Sequence, residues 1–164
     1  MPKTSVPISD VYRTEGFDCG APPLNDYLKK FALINHKNGS SRTYVALKDN
    51  SVIGYFSLSY GSVEHQATPP RISQGLGRYP VPVLVITRLA VDITFQAEGM
   101  GKALLKQALL KALNASEIAG LRAIVVHAKD EKAKSFYENF GFSPSPLDDL
   151  HLYLLLKDIP KNLN

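Results

Sequence analysis

The chain has 164 residues, 45% of them apolar and 21% charged, which suits one soluble domain over residues 1–164 with its own core. No apolar run approaches the ~18 residues of a membrane span, no signal-like core opens the chain, and the lone Cys19 excludes an internal disulfide, so a cytoplasmic location is expected. A formal charge of +4 allows a basic face for a nucleotide, an RNA or an acidic protein without choosing among them.

Pro22-Pro23 precedes Leu24, Tyr27, Leu28, Phe31 and Ile34, the spacing of one helix face, and Asn38-Gly39 supplies its stop. Residues 43–47 and 52–60 read as strands, joined by a hairpin turn at Lys48-Asp49-Asn50-Ser51. From 61 to 82 the periodicity disappears among prolines and glycines, and a loop so long is either functional or conceals a short element. Residues 83–91 read as a strand buried on both faces, with Arg88 the misfit. The next helix sets Leu104, Leu105, Ala108, Leu109 and Ala112 on one face, with Lys102, Lys106 and Lys111 away from it. Residues 123–127 give another buried strand, 131–140 a short helix closed by Gly141, and 151–156 a last strand. This order describes a mixed α/β sheet domain.

Chemistry concentrates where the strand ending at Val91 runs through a glycine-containing loop into the helix. Glycines let backbone N–H groups approach a ligand, and a helix N-terminus adds unpaired donors and partial positive charge, which suits a phosphate or pyrophosphate. A P-loop is excluded, because Gln96 stands where its first glycine belongs and Ala103 follows Lys102. A dinucleotide fingerprint from Gly99 fails at Leu104. The pattern present is Gln-x-x-Gly-x-Gly at residues 96–101, which resembles the coenzyme A pyrophosphate loop of the GNAT N-acetyltransferases. Ala133-Lys134-Ser135-Phe136-Tyr137-Glu138-Asn139-Phe140-Gly141-Phe142 is similar to that family's second signature, an alanine four residues before a tyrosine and then Gly-Phe. Gly16-Phe17-Asp18-Cys19-Gly20, Leu24-Asn25-Asp26-Tyr27-Leu28, Arg42-Thr43-Tyr44-Val45, Ile53-Gly54-Tyr55-Phe56 and Arg88-Leu89-Ala90-Val91-Asp92 resemble the acetyltransferase toxins of bacterial toxin–antitoxin pairs.

The resemblance implies a GNAT fold, an α+β domain whose mixed, mostly antiparallel sheet is flanked by helices. It implies an acetyl-CoA-dependent enzyme that acetylates the α-amino group of aminoacyl-tRNA, blocks translation and is silenced by a ribbon-helix-helix antitoxin. Alternatives are acetylation of a small amine or protein N-terminus, and a non-catalytic acetyl-CoA-binding or protein-binding module. The cofactor is expected on Leu89, Ala90, Val91, Gln96, Ala97, Glu98, Gly99, Met100, Gly101, Lys102 and Phe136, with Tyr137 as general acid. The acceptor is expected on Arg78, Arg88, Lys29, Lys37 and Arg42; a charge in a buried strand, as at Arg88, needs an anionic partner or an internal salt bridge. Glu64, His65 and His127 are the weaker candidates for a base. An α-amine titrates at about 7.7–8.0 against about 10.4 for lysine, so the lack of an obvious carboxylate base leans toward an α-amine acceptor. No metal is expected, because the four histidines and one cysteine have no ligand spacing. The sequence leaves dimerisation open, though the related toxins often form homodimers.

Overall fold

The computed structural model describes residues 3–159. Its strands are β1 (Lys3–Pro7), β2 (Arg42–Lys48), β3 (Ser51–Val63), β4 (Val81–Val91), β5 (Ala123–His127), β6 (Ser143–Pro144) and β7 (His151–Leu155). The helices are α1 (Pro22–Lys30), α2 (Ala32–Asn38), α3 (Pro70–Ser73), α4 (Met100–Ile118) and α5 (Glu131–Glu138). The strands form one mixed sheet in the order β1-β2-β3-β4-β5-β7-β6. β4 and β5 run parallel, and the β1–β2, β2–β3, β5–β7 and β6–β7 pairs are antiparallel. The chain divides after Ser59, Ile86 and Ala108 into two compact units.

In the first unit, β2 and β3 pair from Arg42↔Leu58 to Lys48↔Ser51. Asp49 (φ 51°) and Asn50 (φ 65°) are both left-handed, so the expected four-residue turn closes as a two-residue type I′ hairpin whose twist matches the strands. β1 adds to the open edge of β2 through Val6↔Val45 and Pro7↔Tyr44. The sequence reading missed it, because Lys3-Thr4-Ser5-Val6-Pro7 has no apolar run. The single helix expected across residues 24–34 is two helices, broken at Phe31 (φ −124°, ψ −27°). Tyr27 and Leu28 are buried as the spacing predicts, but beyond the break Ala32 turns inward, leaving Phe31 53% and Ile34 62% exposed. Gly39 (φ 84°) ends α2 in the left-handed conformation that only glycine adopts cheaply. The core of this unit gathers Phe17, Tyr27, Leu28, Ala32, Val45, Leu47, Tyr55 and Ala90.

In the second unit, part of the unassigned stretch 61–82 becomes structure. β3 runs on to Val63, a short 3-10 turn and α3 follow, and Ile72 of α3 is buried against Val81, Val83, Ala123, Val125, Tyr153 and Leu155. Arg122 holds this turn by donating to the carbonyls of Ile72 (2.8 Å) and Gln74 (3.0 Å). The two-residue β6 was also missed; it is too short to carry a period. On α4 the predicted face is correct: Leu104, Leu105, Ala108, Leu109 and Ala112 are all fully buried. Among the described residues no helix is long and apolar enough to cross a membrane.

Candidate active site

Two hydrogen bonds, Asp92 N to Ile53 O (2.9 Å) and Thr87 Oγ1 to Ser57 O (3.3 Å), show β3 and β4 running in opposite directions. Antiparallel alternation then turns the N–H groups of Leu89 and Val91 away from β3. The β4–β5 register runs from Val83↔Ala123 to Ile86↔Val126, one residue short of the end of β5, whereas β4 continues to Val91. Leu89 is half-buried; Ala90 and Val91 are buried.

Residues 96–99 carry the turn into α4. Ala97 (φ 67°) and Gly99 (φ 83°) are both left-handed, a conformation that strains alanine by about 1–2 kcal/mol. Left-handed residues at alternate positions turn successive N–H groups toward one side and form an anion-binding nest. The first intrahelical bond runs from Ala103 N to Gly99 O (3.0 Å), so the N–H groups of Met100, Gly101 and Lys102 have no partner within the helix. No acidic residue stands in that first turn, Lys102 is exposed there, and Glu98 is exposed in the loop. These donors fit a pyrophosphate.

Gln96, expected to touch the cofactor, has a second task. Its Nε2 donates to Val91 O (2.8 Å) and Cys19 O (3.0 Å), tying the loop to the end of β4 and to the N-terminal segment. Asp92 completes the tie. Its carboxylate accepts from Asp18 N (3.0 Å) and Thr94 N (2.9 Å), while Ile93 N donates to Asp18 O (2.8 Å). Asp18 Oδ1 in turn accepts from Gly20 N (2.9 Å) and Asn25 Nδ2 (3.0 Å). The Gly20 N–H, and then the Asn25 amide, hold the Asp18 carboxyl below its ordinary range. The sequence reading gave no site role to Asp18, Asn25 or Asp92; they entered it only within the fragments that carry the resemblance. Gly54 was likewise unassigned. A Cβ there would lie 2.9 Å from Leu104 Cδ1 and 3.3 Å from Ala90 O, so the first turns of α4 rest directly on β3. A glycine inside a strand pattern was the available signal.

Tyr137 lies in the second unit, on α5, which Asp130 caps by accepting from Ala133 N (2.8 Å). Its ring is 6% exposed and packs edge-on against Phe136 (5.1 Å) and Phe142 (5.6 Å). Phe136 also contacts Phe140, so these phenylalanines form the expected aromatic cluster. The Tyr137 hydroxyl has no hydrogen-bond partner among the described residues, yet it is not sealed from solvent; Ser5 Oγ is the buried unpaired side-chain atom. Burial pushes the phenol above its ordinary range, so it carries its proton at neutral pH and suits a donor rather than a base.

Of the candidate bases, Glu64 is exposed and His65 Nε2 lies 2.7 Å from Tyr79 O. His127 stacks on His151, ring centroids 3.8 Å apart, and burial followed by the His151 charge lowers its pKa, keeping it neutral. No metal-binding group of His, Cys, Asp or Glu is found among the described residues.

The basic candidates divide between the two units. Lys29, Lys37 and Arg42 lie exposed on α1, α2 and β2 of the first unit, and Arg78 lies exposed in the second. Arg42 Nη1 donates to His36 O (2.7 Å), capping the end of α2. Arg88 is half-buried, and of its two expected partners the internal salt bridge is not found: its guanidinium lies over the Tyr27 ring, 3.5 Å from the centroid, with no carboxylate partner among the described residues.

Residues 39–144 match the family profile described as an acetyltransferase (GNAT) domain. A tRNA-acetylating toxin of Mycobacterium tuberculosis (strain ATCC 25618 / H37Rv) is 45% identical over 151 residues, 92% of this chain and 90% of that one. The solved structure of AtaT complexed with acetyl-methionyl-tRNAfMet superposes with a TM-score of 0.87 at 26% identity, covering 96% of this chain and 95% of that one. An AtaT mutant toxin bound to the C-terminus of the antitoxin AtaR and acetyl-CoA gives 0.80 at 27% identity, covering 96% and 94%.

Proposed function

The chain belongs to the GNAT acetyltransferase family, and from that premise we propose that it acetylates the α-amino group of aminoacyl-tRNA with acetyl-CoA. Translation stops as a result, and a ribbon-helix-helix antitoxin silences the enzyme. The observation that carries the reading is the donor-rich turn at residues 96–102 in a chain 45% identical to a tRNA-acetylating toxin. The site of action is the cytoplasm, where charged tRNA is found.

Bound acetyl-CoA supplies an acetyl thioester and departs as a thiol. The N–H groups of Met100, Gly101 and Lys102, with the turn at Ala97 and Gly99, hold its pyrophosphate. The outward N–H and C=O groups of Leu89 accept the pantetheine arm as a sheet edge accepts a strand, and Ala90 lines that edge. Val91 contributes its N–H alone, since Gln96 engages its carbonyl; that N–H polarises the thioester carbonyl. The half-buried Phe136 ring packs beside the cofactor. Tyr137 is the general acid: its raised pKa keeps the proton in place until a thiolate needs it. The acceptor α-amine, of pKa about 7.7–8.0, is half neutral or more near pH 8, so it attacks without a dedicated base; the proton it loses on acylation passes to solvent, from which Tyr137 is reprotonated. Arg88, Arg78, Lys29 and Lys37 meet the anionic acceptor, with Arg42 contributing from the end of α2.

Labelled acetyl-CoA offered to charged tRNA, uncharged tRNA and a panel of small amines and peptides tests the proposal. Label is expected on charged tRNA alone. Label on the peptides or amines instead would move the acceptor to those classes, and no label with intact acetyl-CoA binding would leave a binding module.

A further inference from the structure

The arginines of this chain differ in how far the protein uses their donors. Arg71 makes a two-pronged pair with Asp158 (2.9 and 2.7 Å), and Arg122 donates to two carbonyls. Arg42 reaches His36 O, and Arg13 reaches Ser51 Oγ and Asp49 O. Arg88 is held in another way, by the face of an aromatic ring. With Cζ 3.5 Å from the ring centroid, too close for an edge-on approach, the guanidinium meets the ring through its π face, and its N–H fork has no partner among the described residues. A carboxylate partner would have occupied two of those donors and neutralised the charge.

The ring is itself fixed. Tyr27 is 7% exposed in the core beneath α1, and its hydroxyl accepts from Asn35 Nδ2 of α2 at 3.1 Å. The backbone of Asn35 is anchored too, its carbonyl accepting from Gly39 N (3.1 Å). The break at Phe31 lets the two short helices bring Asn35 to the Tyr27 hydroxyl, so α1 supplies the ring and α2 fixes it.

We propose that Tyr27 is a positioning residue for the acceptor: a rigid ring platform, locked by Asn35, that holds Arg88 with its donor fork open for a backbone phosphate of the acceptor RNA. This rests on the charged-tRNA reading. It assigns no contact of Tyr27 with substrate; the residue acts through Arg88.

The test compares Tyr27→Leu, Tyr27→Phe, Arg88→Ala and the Tyr27→Leu/Arg88→Ala double variant with the parent protein. Readouts are kcat and KM for charged tRNA at several salt concentrations, and acetyl-CoA affinity. Removing the ring face should raise KM about fivefold or more, leaving kcat and acetyl-CoA affinity near parental values. It should also flatten the salt dependence of KM by about one phosphate contact, as Arg88→Ala does. Tyr27→Phe keeps the face and should retain the parental salt slope. The double variant should be no worse than Arg88→Ala. Should Tyr27→Leu fail to fold, Arg88→Lys replaces it: a charge without a stacked fork should raise KM at an unchanged salt slope. A parental KM in Tyr27→Leu, an equal further loss on the Arg88→Ala background, or a parental KM in Arg88→Lys overturns the platform. A parent protein that binds acetyl-CoA and leaves charged tRNA unlabelled overturns the functional reading instead.

Discussion

At the scale of single residues, Tyr137, Gly99 and Asp18 each act through a different property: a hydroxyl, a backbone conformation and a charge. Tyr137 buries its ring among phenylalanines and leaves its hydroxyl without a hydrogen-bond partner among the described residues. Tyr137→Phe therefore removes the proposed proton donor without disturbing packing. It should lower kcat by roughly 100-fold or more, with the melting temperature and acetyl-CoA affinity within error of the parent; parental turnover would end the assignment. Gly99 is a glycine for its conformation, since nothing lies within 4 Å of a Cβ placed there, but φ is 83°. Gly99→Ala introduces a strain of about 1 kcal/mol in the turn proposed to hold the pyrophosphate, so acetyl-CoA should bind roughly fivefold more weakly by calorimetry. Asp18 gives a pH dependence with a defined sign. Its native pKa lies below the unfolded value of 3.8, so the stabilisation it lends is present above that pH and is lost as pH falls through the native pKa. Melting temperatures recorded from pH 5 to 2.5 should fall less steeply in Asp18→Asn than in the parent.

At the scale of elements, the proposed cofactor site is the strand β4, its loop and the start of α4. The helix is seated on the sheet by the missing side chain of Gly54. Leu104 Cδ1 can swing away from an added methyl, but Ala90 O, at 3.3 Å, belongs to the β4 backbone and cannot. Gly54→Ala should therefore cost about 1–3 kcal/mol in urea unfolding and weaken acetyl-CoA binding in parallel, because the loop moves with the helix. The helix pair α1–α2 shows the reverse relation between pattern and outcome. A continuous 3.6-residue stripe from Leu24 to Ile34 is present in the sequence, yet the chain breaks at Phe31 and exposes half of that stripe. The α2 end is finished by Arg42 on His36 O. Arg42→Ala should lower the melting temperature, whereas Lys37→Ala, from an exposed side chain on the same helix, should leave it unchanged.

At the scale of the whole molecule, exposed lysines and arginines stand on several elements of both units, and such side chains meet phosphates without regard to base sequence. Affinity for charged tRNA should fall steeply between 50 and 200 mM salt, with acetyl-CoA affinity changing far less. Features set within a few residues of each other are legible before folding. The buried face of α4 follows from its 3.6-residue period, the stop at Gly39 from the positive φ that glycine adopts cheaply, and the turn into α4 from glycines placed before a helix start. Each is a local constraint, legible wherever the residues stand in the fold. The tertiary structure alone decided the rest. Strand β1 exists because β2 offers it an open edge, and Asp92 meets Asp18 across 74 residues of chain. Arg88, read from the sequence as a charge in want of a counter-ion, is held by the ring of Tyr27. Such contacts join segments that share no period and no motif, so their free energy appears only when folding brings the segments together.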